Sequence, residues 1–204
     1  TFAAQSAFLE KFISEMSLAD VHIVAPDVAM PVALHYAMHR DHKAASILIG
    51  DGPGILPSDD GSLIKKIVHS GFWRSMVNMT GPRAFVAGAI QLGYLHYSPS
   101  AEEVADYVAS YSGRINQVTA WFKHYPEGLK DIDPHLETLN VPVHVFWGDQ
   151  DAFLTTDNAA RLHKRLPKSA LTIFERCGHF CYQDKGVEFT ELVRTWVNNG
   201  HKLG

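Results

Sequence analysis

Apolar positions in this chain follow two rhythms. Val21–Ala25, Ala45–Ile49, Val143–Trp147 and Ala170–Phe174 are short, nearly continuous apolar runs rich in β-branched residues, the pattern of buried strands. Between them, apolar residues recur at helical spacing. Phe8, Leu9, Phe12, Ile13 and Met16 predict a helix over 6–18, and further helices are predicted over 29–40, 157–166 and 187–198. Pro31 falls in the first turn of the second, where its missing N–H costs nothing. The last turns Phe189, Leu192, Val193, Trp196 and Val197 inward. From Ser58 to about Asn140 the strand signal vanishes and short helical patterns take over. There Ser100-Ala-Glu-Glu103 is a capping box, and Val104, Tyr107, Val108 and Tyr111 share one face of the helix it starts. Strands alternating with helices predict an α/β fold: a mostly parallel sheet with helices on both faces. Residues 1–57 and 141–204 form its core, and 58–140 a helical insertion.

Chemistry-bearing residues stand just past the strands. Val21-His-Ile-Val-Ala-Pro-Asp27-Val-Ala-Met30 places Asp27 between a strand and a helix, with small Ala25 and Ala29 on either side. Strand, sharp turn and helix around one polar residue is the geometry of a nucleophile elbow. The second half supplies Gly148-Asp-Gln-Asp151 after one strand and Cys177-Gly-His179-Phe180 after the next. Nucleophile, acid and histidine thus come in the order Asp27, Asp151, His179, each beyond the carboxyl end of a strand, where open α/β sheets hold their ligands. Asp149 is read as a loop cap.

In this order and these segments the chain resembles the α/β-hydrolase family, and the aspartate at the elbow is similar to its epoxide hydrolase and dehalogenase branches. The resemblance runs from the first residues to the last helix but covers only the later part of the family's fold. It implies a hydrolase without cofactor or metal, with residues 58–140 as a cap over a small hydrophobic substrate. Asp27 would form an ester with the substrate. His179 would activate the water that breaks it, and Asp151 would orient His179. Asp51, after the strand ending at Ile49, is the alternative acid. Val28, Trp73, Tyr94, Tyr97, Tyr107, Tyr111, Trp121 and Phe180 are the expected pocket residues, with the cap tyrosines (Tyr125 also available) as proton donors to an opening epoxide. Three positions depart from the family pattern: Pro26 where histidine is usual, Val28 where tryptophan is usual, and Met30 where glycine is usual. They keep three alternatives open: an inactive scaffold, a non-hydrolytic relative and a carbon–halogen hydrolase.

Composition narrows the classes. With 18 Lys and Arg against 22 Asp and Glu, the net charge is −4 and no basic run marks a nucleic-acid footprint. No apolar stretch reaches the roughly 18 residues of a membrane span, so no membrane partner is expected. Cys177 and Cys181 are the only cysteines, which implies no disulfide framework and suits a cytoplasmic location. With His179 between them they lack recognised zinc spacing. The family's preceding strands and its oxyanion-hole loop have no counterpart before Phe8. A preceding segment or a partner chain is therefore expected to complete the sheet beside the Val21–Ala25 strand.

Overall fold

A computed structural model describes residues 1–39 and 41–201. Four parallel strands, β1 (Val21–Pro26), β2 (Ala44–Gly50), β3 (Val143–Gly148) and β4 (Ser169–Phe174), lie in chain order in one sheet. The registers Pro26↔Gly50, Gly50↔Phe146 and Gly148↔Phe174 bring their carboxyl ends to nearly one level. Asp27, Asp51 and Asp149, each the next residue after a strand, therefore emerge along one rim of the sheet.

Alternation along the strands gives the sheet two buried faces. Ile47, Ile49, Val143, Val145 and Trp147 join one core with helices α1 (Phe2–Glu15), α2 (Ala29–Ala37) and α7 (Asp157–Arg165). Leu48, Phe146 and Phe174 face the other side, where Phe189 and Trp196 of α9 (Gly186–Asn198) cover them. The Trp196 indole N–H also donates to Ser46 Oγ at 3.0 Å, pinning α9 to β2.

Between β2 and β3 the chain forms α3 (Ser62–His69), α4 (Gly71–Gly93), α5 (Ala101–Tyr111) and α6 (Ile115–Gly128), then two 3-10 turns. Helix α4 is two helices joined at a kink, where Gly81 takes φ +77° ahead of Pro82. The capping box at Ser100 and Glu103 is formed. Leu129, Ile132, Leu136 and Leu139, at the end of the insertion, pack into the main core beside the strands.

Helix boundaries differ from expectation for local reasons. Helix α1 starts at Phe2, because the Thr1 hydroxyl accepts the Ala4 N–H, and it stops at Glu15, before Ser17 turns to positive φ. Helix α2 closes at Ala37, and Arg40, the last residue of the expected helix, lies outside the described residues.

Candidate active site

Asp27 sits at the β1–α2 turn with φ +48°, a left-handed conformation that non-glycine residues adopt at some cost. Its N–H donates to Gly50 O at 2.9 Å, and its carbonyl accepts from Met30 N at 3.0 Å, so both sides of the turn are tied. The loop after β2 packs directly on it. A methyl group at Gly52 would stand 2.1 Å from Asp27 O, so only glycine fits. Bulky Met30 is accommodated from the same loop, since a side chain at Gly54 would collide with Met30 Cε at 2.5 Å.

His179 reaches this turn from the β4–α8 loop, α8 being the single turn Cys181–Asp184. Its Nε2 lies 3.6 Å from Asp27 Oδ1, and its Nδ1 lies 2.9 Å from Asp151 Oδ2. Asp151 is itself fixed, its Oδ1 accepting the N–H groups of Phe153 at 2.8 Å and Leu154 at 3.1 Å. Phe153 and Phe180 meet the imidazole at steep angles. Burial opposes a charge on His179, but the carboxylates of Asp151 and Asp27 outweigh it and hold its pKa well above the ordinary histidine value. The two acids thus favour a proton on His179.

Asp51 has a different environment. It is fully buried at φ +55°, its Oδ1 accepts the Cys181 thiol at 3.4 Å, and its Oδ2 has no partner. Burial raises its pKa well above the carboxylate range although His179 is near. The ring nitrogen of His179 that faces away from Asp27 bonds Asp151, not Asp51.

A cavity of about 510 Å³ opens on Asp27 and His179. Val28, Tyr111, Trp121 and Phe180 line it, with apolar side chains of α3, α4 and α6. Among the described residues, no lysine or arginine lines it. Trp73, Tyr94, Tyr97 and Tyr107 were expected there and do not line it. Trp73 is exposed near the start of α4, with Lys66 Nζ 5.2 Å from its ring centroid. Tyr94 donates to Gln183 Oε1, Gln183 Nε2 donates to the Tyr107 hydroxyl, and Tyr97 donates to Glu103. These three phenols are held by side chains of the surrounding frame. Tyr125 does line the cavity, but its hydroxyl is engaged by Asp60. Tyr111 lines it with no side-chain hydrogen bond among the described residues. Burial and the nearby Asp27 charge raise its pKa.

Sequence reasoning missed Asp184. Its carboxylate accepts the backbone N–H groups of Leu95, His96, Tyr97 and Gly178 at 2.8 to 3.1 Å. It thereby ties the loop leaving α4 to the loop that carries His179, and Gly93 O adds a bond from His179 N at 2.8 Å. Burial alone would raise its pKa, but the converging N–H groups lower it. A four-residue helix has no periodic signal, so nothing in the sequence marks this residue.

No family model matches the chain. It is 34% identical over 74 residues to 2-hydroxy-6-oxononadienedioate/2-hydroxy-6-oxononatrienedioate hydrolase 1 of Dechloromonas aromatica (strain RCB), covering 36% of this chain and 26% of that protein. A hydrolase of the same description from Cupriavidus pinatubonensis (strain JMP 134 / LMG 1197) is 20% identical over 198 residues, covering 94% of this chain and 66% of its own length. The chain thus spans less than two thirds of these relatives. Among solved structures, the 2-hydroxy-6-oxo-6-phenylhexa-2,4-dienoate hydrolase of Rhodococcus sp. strain RHA1 superposes with a TM-score of 0.71 at 17% identity, over 89% of this chain and 65% of that one. Four parallel strands in chain order, helices on both faces and the agreement with this solved neighbour give one conclusion: the chain has the α/β-hydrolase fold.

Proposed function

We propose that the protein is a hydrolase of small, uncharged, apolar electrophiles, with Asp27 as nucleophile, and that epoxides are its substrate class. The observation that carries this reading is Asp27 on a positive-φ strand-to-helix turn, facing a histidine whose other nitrogen is held by Asp151. A carboxylate in that place suits displacement at a saturated carbon. Its oxygen attacks an epoxide carbon, the ring C–O bond breaks, and an ester forms on Asp27. In-line attack drives the departing oxygen away from Asp27, and Tyr111 is the cavity phenol free to protonate it.

Electrostatics then switch His179 from acid to base. Esterification removes the Asp27 charge, one of the two carboxylates that hold the proton on His179. That proton passes to the phenolate of Tyr111, leaving His179 neutral. His179 next takes a proton from water, and the hydroxide adds to the ester carbonyl. Collapse of the adduct frees an alkoxide, which takes the proton of the regenerated carboxyl group. The diol leaves, and Asp27 is again an anion beside a charged His179.

The relatives are named for dienedioate and trienedioate substrates and the solved neighbour for a dienoate, all of which bear carboxylates. A cavity with Asp27 at its base and, among the described residues, no lining lysine or arginine would bind such anions poorly, which favours an uncharged substrate. The test exposes the Asp151→Asn variant of the intact protein to styrene oxide. A covalent adduct on the Asp27 peptide, absent in Asp27→Ala, is expected in mass spectra. An Asp27 peptide that stays unmodified while the variant is still consuming epoxide would refute the reading.

A further inference from the structure

Helix α4 has two unlike sides. Val77 and Thr80 turn toward the cavity. Phe72, Met76 and Met79, at helical spacings of four and three, turn outward with exposures of 67%, 42% and 82%. Trp73 stands beside them, also exposed. Four large apolar side chains within about two turns of helix form a patch, unlike the scattered apolar residues of an ordinary surface.

The charge around this patch is one-sided. Residues 61–101 contain Lys65, Lys66, Arg74 and Arg83 and no aspartate or glutamate, although the whole chain carries 22 acidic against 18 basic residues. Lys65, Lys66 and Arg83 are exposed, and none of the four pairs with a carboxylate among the described residues. Arg74 caps the end of α3 through the carbonyls of Ile67 and Val68, so its charge is fixed next to the patch.

We propose that this outer face of α3 and α4 docks the protein on an anionic lipid surface. Exposed aromatic and methionine side chains flanked by unpaired cations are what an interfacial helix presents: the apolar groups enter the headgroup boundary and the lysines meet lipid phosphates. An acidic protein partner would match the charge but leave the apolar stripe without a dry counterpart. The expectation of no membrane partner rested on the lack of a spanning segment, and docking needs none. Among the described residues no helix is long and apolar enough to cross a membrane. The proposal does not depend on the reaction at Asp27.

Co-sedimentation of the intact protein with vesicles tests it, comparing pure phosphatidylcholine with equimolar phosphatidylcholine and phosphatidylglycerol. Binding is expected only to the anionic vesicles and should weaken with salt. The pairs Met76→Asp with Met79→Asp and Lys65→Glu with Lys66→Glu, all at exposed positions, should each lower affinity at least about tenfold with unchanged melting curves. A blue shift of tryptophan emission on binding should disappear in Trp73→Phe. Absence of binding, equal binding to both vesicle types, or variants that bind as the parent does would overturn it. So would a self-associated form that the same variants dissociate while vesicles capture nothing.

Discussion

Asp27 Oδ1 lies 3.6 Å from His179 Nε2, slightly beyond a hydrogen bond and close enough for the two charges to hold each other. This spacing links the resting site to its chemistry. The carboxylate is near enough to favour the protonated imidazole, and in the proposed mechanism losing its charge releases the proton.

The acid behind His179 should be separable by mutation. Asp151→Asn removes the partner 2.9 Å from Nδ1 and should slow ester hydrolysis about a thousandfold or more. Asp51→Asn, at a site outside that hydrogen bond, should slow it far less. Burst and steady-state rates with an epoxide would rank the two, and the reverse ranking would move the acid to the β2 loop.

The proton on His179 should answer to Asp27. With its folded pKa raised above the ordinary 6.5, His179 contributes stability that is full below pH 6.5 and is lost as pH rises through the folded value. Asp27→Asn removes one of the two anions responsible. Proton NMR titration should show the His179 pKa falling in that variant. Identical titrations would mean that Asp151 alone sets the charge.

Asp184→Ala should loosen the site without touching substrate. It leaves the N–H groups of Leu95, His96, Tyr97 and Gly178 without their acceptor, at a cost of about 3 kcal/mol. Lower thermal stability and a reduced kcat, from misplacement of His179, are expected. Unchanged melting and kinetics would show that water substitutes for the carboxylate.

Much of this was legible in sequence because it is local. A β-branched run, small neighbours and one polar residue before a helix define the Asp27 turn, and Gly-His-Phe after an apolar run places His179. The inward face of α9 followed from spacing alone. The cavity lining was less legible, because periodicity says which residues share a helix face but not which face turns inward. Trp73 shares a helix face with Val77, four residues on, yet only Val77 reaches the cavity, and nothing in the sequence distinguishes the two. Asp184 was invisible because three of its four partners come from a segment about ninety residues before it and the fourth is Gly178, six residues before it.

The open side of β1 should be covered in the working protein. Among the described residues β1 pairs only with β2, and Phe8 and Phe12 of α1 and Met16 just after it are exposed. An apolar edge of this kind invites pairing. We expect it to be met by additional polypeptide, which would also bring a backbone donor to the oxyanion that forms at Asp27. Residues 1–204 produced alone should self-associate and lack activity in light scattering and turnover assays. A monodisperse, cooperatively melting, active monomer would contradict this.

The most direct test of Asp27 as nucleophile is isotope transfer from solvent. The protein is carried through many turnovers of an epoxide in ¹⁸O-water, denatured and digested, and the peptide containing Asp27 is weighed and fragmented. Because water attacks the ester at the Asp27 carbonyl, heavy oxygen should accumulate in the Asp27 carboxylate. Label found in the product alone, with Asp27 unlabelled, would contradict the covalent mechanism.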